Sequence, residues 1–257
     1  MARAYTNQSQ TAFDAHCHLD HIPAGDRRAA VERARSQGVD SWMLSGADPC
    51  AWTQLRAISS IPGCFYQLGL HPWWAQDMND ETQDHWIRKL YDTDHPHGLG
   101  ESGLDKRRAK TSVQREQQLR ALRAHVELAT QQGLPLVLHG AHSWGSVMAE
   151  LPPSAEAMLH SFSGSPELAS QAVRKGFYLS FGPSVLVSKR ARAAAVVVPD
   201  SQLLIETDSP DQSAPVALLE VAKALAELRQ VPLDHILATT RHNACNLFRI
   251  PESPHES

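Results

Sequence analysis

Six side chains, spread from position 16 to position 208, have the types a divalent-metal centre needs. His16 and His18 form an H-x-H pair in Asp14-Ala15-His16-Cys17-His18. Residues two apart on an extended chain project to the same side, so one cation can take both imidazoles. Glu101 stands in Gly100-Glu101-Ser102-Gly103-Leu104-Asp105, and His139 closes Pro135-Leu136-Val137-Leu138-His139. His160 opens His160-Ser161-Phe162-Ser163-Gly164, and Asp208 lies in Glu206-Thr207-Asp208-Ser209-Pro210. Four imidazoles and two carboxylates suffice for two divalent cations that share one bridging carboxylate. Such a pair, roughly 3.5–4 Å apart, generates a hydroxide nucleophile and stabilises both oxygens of an in-line displacement. Singly, each residue has a plainer role: a lone His is more often a hydrogen-bonded structural group, and Glu101 or Asp208 would serve as a helix N-cap or dipole partner. Their common placement at strand ends sets them apart.

Short apolar runs alternate with longer amphipathic ones, the pattern of β/α units. The runs predict strands over Ala12–His16, Ser41–Leu44, Phe65–Leu70, Gly98–Glu101, Leu134–His139, Ala157–His160, Phe177–Phe181 and Leu203–Glu206. Helices are expected between them, among others at Asp26–Gln37, Val113–Gln132, Pro166–Lys175 and Pro215–Arg229, with a last one over Leu233–Phe248 and a frayed tail over Pro251–Ser257. Gly38, Gly133 and Gly176 each follow a helical run, as C-terminal caps do. Eight strand–helix units within 257 residues predict an α/β fold: a single (β/α)8 TIM barrel occupying 1–257, with its core over about 12–248. A doubly wound open sheet is the alternative. In a barrel the C-terminal rim would gather all six side chains.

Composition narrows the function classes. Apolar residues make up 42% and charged residues 20%, which excludes collagen-like, coiled-coil and disordered chains. A net charge of −4 argues against gripping long nucleic acid through overall charge. Four dispersed cysteines (Cys17, Cys50, Cys64, Cys245) form no C-x-x-C pair, so a reducing compartment is expected. The first ten residues lack the apolar stretch of a signal peptide, and the longest stretch without Asp, Glu, Lys or Arg, from Leu128 to Ala149, does not read as a membrane span. The expectation is a cytoplasmic protein without membrane contact or an obligate protein partner.

These motifs resemble the TatD family of metal-dependent hydrolases. The resemblance rests on Asp14-Ala15-His16-Cys17-His18-Leu19-Asp20, Gly69-Leu70-His71-Pro72, Gly100-Glu101-Ser102-Gly103-Leu104-Asp105, His160-Ser161-Phe162-Ser163-Gly164 and Glu206-Thr207-Asp208-Ser209-Pro210, with Thr239-Thr240-Arg241-His242-Asn243-Ala244 near the C-terminus. It implies an amidohydrolase-like barrel, catalysis by divalent cations and, as in several members, a deoxyribonuclease acting from single-stranded 3′ ends. It also implies a first metal site of His16, His18, Glu101 and Asp208 and a second of Glu101, His139 and His160. Two segments depart from the family pattern. His139-Gly140-Ala141-His142 lacks the usual Arg and acidic residue, and Asp208 is not followed by an Arg-Asn-Glu-Pro segment. Both shape the substrate mouth rather than the metal core.

The expected activity is a 3′–5′ exodeoxyribonuclease that hydrolyses phosphodiester bonds with metal-activated water. The alternatives are an ester or amide hydrolase, such as an aminoacyl-tRNA deacylase, and more distantly a non-catalytic metal-binding protein. Asp208 is the candidate proton acceptor and Glu101 the bridging catalytic carboxylate. Two divalent cations, Mg, Mn or Zn, are the expected cofactors. The expected partner is single-stranded DNA or short nucleic-acid ends. His71, Lys106, Arg107 and His142 are candidate substrate contacts, with Arg108, Lys110, Lys189, Arg190 and Arg192 adding positive charge to the same rim. Trp73 and Trp74 are candidate base-stacking platforms.

Overall fold

A computed structural model describes residues 11–92, 96–210, 214 and 217–252. The expected helix start at Pro215, the sequence at 211–213, the last five residues of the tail and the first ten residues lie outside the described residues. Eight strands form one all-parallel sheet in chain order: β1 (Ala12–Cys17), β2 (Val39–Gly46), β3 (Cys64–Leu68), β4 (Leu99–Asp105), β5 (Leu136–Ala141), β6 (Ala157–Leu159), β7 (Tyr178–Phe181) and β8 (Leu203–Ile205). The helices are α1 (Ala24–Ser36), α2 (Trp52–Ile58), α3 (Pro72–Ala75), α4 (Asp80–Tyr91), α5 (Ser112–Gln132), α6 (Trp144–Ala149), α7 (Pro166–Arg174), α8 (Ser184–Val187), α9 (Lys189–Val197), α10 (Leu218–Arg229) and α11 (Leu233–Phe248). The expected (β/α)8 barrel is the observed fold.

Two apolar layers hold it. Trp42, Leu44, Leu136, Leu138, Leu159 and Leu179 pack outward against the helices. Phe13, Ala15, Met43, Val137, Met158 and Leu204 form a separate interior cluster, closed by Ala244, Leu247 and Phe248 of α11. Each such side chain contributes about 1.5–3 kcal/mol on full burial. Strand periodicity then dictates what stands above the plug. Two residues beyond Val137 is His139, two beyond Met158 is His160, and two beyond Leu204 is Glu206. On β1 the parity changes: the β1–β2 register slips between Asp14 and Cys17. Odd-numbered Phe13 and Ala15 join the interior plug, while even-numbered His16 and His18 converge on Glu101 above it.

No ladder joins β1 to β8 among the described residues; the seam is closed by the segment after β8. The Thr207 N–H and hydroxyl donate to the two oxygens of Asp14 at 2.9 and 2.5 Å. Asp208 N–H donates to His16 O at 3.0 Å, and His18 N–H to Ser209 O at 2.6 Å. The seam thus ties both ends of the chain's metal-type residues into one backbone network.

Three expected positions are corrected. Glu101 does not end β4 but is its third residue, since the strand runs on to Asp105. His139 is likewise inside β5, which continues to Ala141. β3 stops at Leu68, so His71 is not a strand residue but the N-cap of α3, its ring accepting from Trp73 N–H at 3.2 Å. Pro72 ends the extended run and opens the helix.

The longest helix also positions the site. α5 starts at a reciprocal capping box between Thr111 and Gln114 and ends on left-handed Gly133, φ 65°. Its buried His125 accepts from Leu70 N–H at 3.0 Å through Nε2 and meets Ala121 O at 2.7 Å through Nδ1, which fixes the neutral tautomer and anchors the loop that carries His71. Burial pushes the His125 pKa down to about 4, against the pull of the Ala121 carbonyl. The unfolded chain therefore binds a proton that the native ring refuses. The stabilising contribution is complete above pH ~6.5 and is lost as pH falls toward about 4, a swing of about 3 kcal/mol. Denaturant unfolding between pH 7 and 4 should show this acid arm, and His125→Gln should reduce it, with buried His71 supplying a further part.

Candidate metal centre

Glu101 occupies the centre of the barrel mouth, where it is 3% exposed. Gly100 and Gly103 flank the strand segment that carries it, and a Cβ at either would collide with the β5 backbone, at Val137 and His139 respectively. Both take positive φ, 152° and 144°, so only glycine allows β4 to run this close to β5.

The two carboxylate oxygens face different neighbours. Oε2 lies 3.3 Å from His16 Nε2 and 3.8 Å from His18 Nε2. Oε1 lies 2.7 Å from His160 Nε2, 2.9 Å from His139 Nδ1 and 3.2 Å from His71 Nε2. Asp208 completes the first side, with Oδ1 at 3.3 Å from His18 Nε2 and 3.9 Å from His16 Nε2. It adopts a left-handed backbone, φ 53°, which a short polar side chain tolerates. All six metal-type residues of the sequence are therefore brought together.

The donor chemistry fits a divalent cation. His16 Nε2 and His18 Nε2 face each other at 3.3 Å while both face carboxylate oxygens. A single proton can bridge only one such pair, whereas a cation is bound by all of these lone pairs together. Ligand atoms of His16, His18 and Glu101 lie within 4.8 Å of one another, as do those of His16, His160 and Asp208.

His71 belongs to the same cluster by distance but differs in protonation. Its Nδ1 accepts from Trp73 N–H, so in the neutral ring Nε2 carries the hydrogen and donates to Glu101 Oε1. Burial pushes its pKa down to about 4, opposed by Glu101. It is a hydrogen-bond donor to Glu101, with no lone pair turned inward.

Glu101 itself would be raised by burial, but His160 and His71 and the hydrogen bonds from His139 and His16 hold it well below the usual carboxylate range. Burial would lower the His160 pKa, yet Glu101 and Glu206 push it well above the ordinary value. For His18, burial is outweighed by Asp208 and Glu101, and its pKa rises to about 9.

A second ring of residues, which sequence reading missed, fixes the first. Glu206 is fully buried, accepts from the Ser180 hydroxyl, and lies 3.4 Å from His160 Nδ1. The Gln67 amide meets His16 Nδ1 at 3.4 Å. Asp105 accepts from Trp73 Nε1 at 2.6 Å and lies 3.4 Å from His139 Nε2. Period 2 was the available signal for Glu206, two residues before Asp208 and two after plug residue Leu204.

The centre opens into a cavity of about 510 Å³ lined by His18, His71, Trp73, Trp74, Glu101 and Asp208, among others. The remaining expected contacts stand elsewhere. Lys106, Arg107, His142 and Arg190 line an adjoining cavity of about 490 Å³ rather than the first. Lys110, Lys189 and Arg192 line neither. Trp73 is no free platform, because the Arg108 guanidinium lies 4.2 Å over its ring; Trp74, 47% exposed, remains open.

Residues 13–249 match the model of the family described as TatD related DNase. The chain belongs to that family. It is a TatD-type metal-dependent hydrolase, and its relatives span its whole barrel. It is 31% identical to the Bacillus subtilis uncharacterized metal-dependent hydrolase YabD, over 93% of this chain and 99% of that one. It is 29% identical to the 3′-5′ ssDNA/RNA exonuclease TatD of Cronobacter sakazakii, over 89% and 94%. The crystal structure of the TatD homologue YjjV from Escherichia coli superposes with a TM-score of 0.83 at 27% identity, covering 93% of this chain and 98% of that one. Among the described residues no helix is long and apolar enough to cross a membrane.

Two substitutions test the arrangement by metal analysis after dialysis against Zn²⁺ or Mn²⁺. Glu101→Ala, which removes the carboxylate shared by both imidazole groups, should lower bound metal to less than half the wild-type content. Glu206→Gln keeps every inward ligand but loosens His160, and should weaken metal affinity about 10–100-fold.

Proposed function

We propose that this chain is a single-domain, divalent-metal-dependent 3′–5′ exonuclease acting on single-stranded DNA. The observation that carries the reading is the split carboxylate of Glu101, with one oxygen toward His16 and His18 and the other toward His139 and His160. His16, His18, Glu101 and Asp208 would hold one cation, and Glu101, His139 and His160 a second. Bound there, Mg²⁺, Mn²⁺ or Zn²⁺ supplies Lewis acidity for the attacking water and charge neutralisation on the phosphoryl oxygens.

The chain's own residues do the rest. Asp208 takes a proton from the attacking water, whose oxygen bonds to phosphorus as the P–O3′ bond breaks. The leaving O3′ takes a proton from solvent, so each turn releases one nucleoside 5′-monophosphate and a strand shortened by one. His71 Nε2–H holds Glu101 in place, and its ring lines the cavity wall beside the substrate. Asp105 fixes His139, and through its other oxygen it accepts from the N–H groups of Arg107 and Arg108 at 2.8 and 3.1 Å. That pairing sets the cationic turn against the metal centre. Trp74 offers an open aromatic face for a base. The Cronobacter relative, a 3′-5′ ssDNA/RNA exonuclease by name, supports this substrate class.

An end-labelled single-stranded oligonucleotide tests the reading after chelation and re-addition of Mg²⁺, Mn²⁺ or Zn²⁺. Stepwise shortening from the 3′ end is expected, with Glu101→Ala at least 10²-fold slower. Metal binding without cleavage under any cation would move the activity to ester or amide substrates such as aminoacyl-tRNA.

A further inference from the structure

The second cavity differs in polarity from the first. Glu101, Asp208 and Asp48 line the metal cavity, whereas no carboxylate lines the neighbouring one among the described residues. Its walls carry Lys106, Arg107, Arg190 and His142. None of these four makes an ion pair with a described carboxylate. The nearest acidic influence is Glu167 in the first turn of α7, whose pKa Arg190 helps to lower but which does not line the cavity. Lys106 and Arg107 from the turn after β4 and Arg190 from the start of α9 converge on one concavity, the arrangement of an anion site.

The backbone that carries these charges is fixed. Lys106 N–H donates to Ala141 O at 3.1 Å, joining the turn after β4 to the end of β5. The following N–H groups are held by Asp105, the same carboxylate that faces His139. Arg190 sits in the first turn of α9, where Ser188 caps Ala191 N–H at 3.2 Å.

Trp144 and Ser163 line both cavities. The Trp144 indole is buried, and its N–H has no hydrogen-bond partner among the described residues. It lies flat against Gly140, where any Cβ would enter the ring. A wall shared with a metal centre suited to one phosphodiester points to a second phosphate next door.

We propose that this cavity seats the phosphate one nucleotide upstream of the scissile linkage, so that the protein recognises two consecutive phosphates of a single strand. The proposal rests on the exonuclease reading for the identity of the first phosphate. Lys106, Arg107 and Arg190 supply the charge, and His142 closes the edge of the seat. The seat's charge comes from the β4 and β7 loops.

The test compares the dinucleotide TpT, which has only the scissile phosphate, with 5′-phosphorylated pTpT, which adds the upstream one. Wild-type kcat/KM should be at least tenfold higher for pTpT. In the triple variant Lys106→Gln, Arg107→Gln, Arg190→Gln that ratio should fall to near one. All three side chains are exposed, so matched thermal midpoints verify that the variant folds. A second readout needs no turnover: anisotropy of a labelled oligothymidylate in EDTA across a salt series. The log–log salt slope should drop in magnitude by about 0.7 in the variant, the value for one lost single-strand phosphate contact. An unchanged ratio together with an unchanged slope overturns the subsite. If the wild type cleaves no oligonucleotide, the exonuclease reading fails, and the salt slope alone then upholds or overturns the phosphate seat.

Discussion

A buried carboxylate must be compensated, and Glu101 is compensated only by imidazoles among the described residues. Desolvating an ionised carboxylate costs several kcal/mol unless opposite charge and hydrogen bonds surround it. No lysine or arginine reaches it. Five rings do, and burial opposes the charge on each of them even where carboxylates hold His160 and His18 above the ordinary imidazole value. The arrangement is thus adequate for a carboxylate without metal and much better for one that shares divalent charge. Most of the barrel's unusual local structure serves this one group. Gly100 and Gly103 bring β4 close to β5. Gln67, Glu206 and Asp105 each hold the outer face of one ligand-type ring.

The fold separates tasks along the barrel axis. Apolar side chains capped by α11 fill the N-terminal half, and the same strands deliver polar side chains to the C-terminal half two residues later. The seam between β1 and β8 is the point of coupling. Asp14 and Thr207 close the barrel, and the adjoining Asp208–His16 and His18–Ser209 backbone bonds align two ligand-bearing segments from opposite ends of the sequence. Positive φ values at His142, Ser161 and Asp208 cluster at this rim. Strained backbone concentrates where side chains must be aimed rather than merely packed.

In the proposed reading, a cationic cavity beside the metal cavity lets a chain of net charge −4 bind a polyanion. Overall charge governs long-range steering, whereas a concave group of unpaired cations acts at contact distance. Asp105 links the two regions, since one of its oxygens faces His139 and Trp73 while the other orders the turn bearing Arg107. In the proposed reading, substrate grip and ligand geometry therefore share a residue.

Eight β/α units were legible in the sequence, because strand and helix periods are local, whereas closure into a barrel rather than an open sheet was not. α11 was legible to the residue, and the start of α5 to within one. The six metal-type residues could be picked out because they stand in or just after short apolar runs. The tertiary structure alone decided where those side chains point. The β1 register slip turns His16 inward, β4 runs four residues beyond Glu101, and His71 leaves the strand to cap α3 with its proton on Glu101. It also decided that Lys106, Arg107 and His142 face a different cavity from the metal centre. Period and composition are properties of neighbours in sequence. Side-chain direction at a rim depends on which distant backbone lies opposite, and that is settled only when the barrel closes.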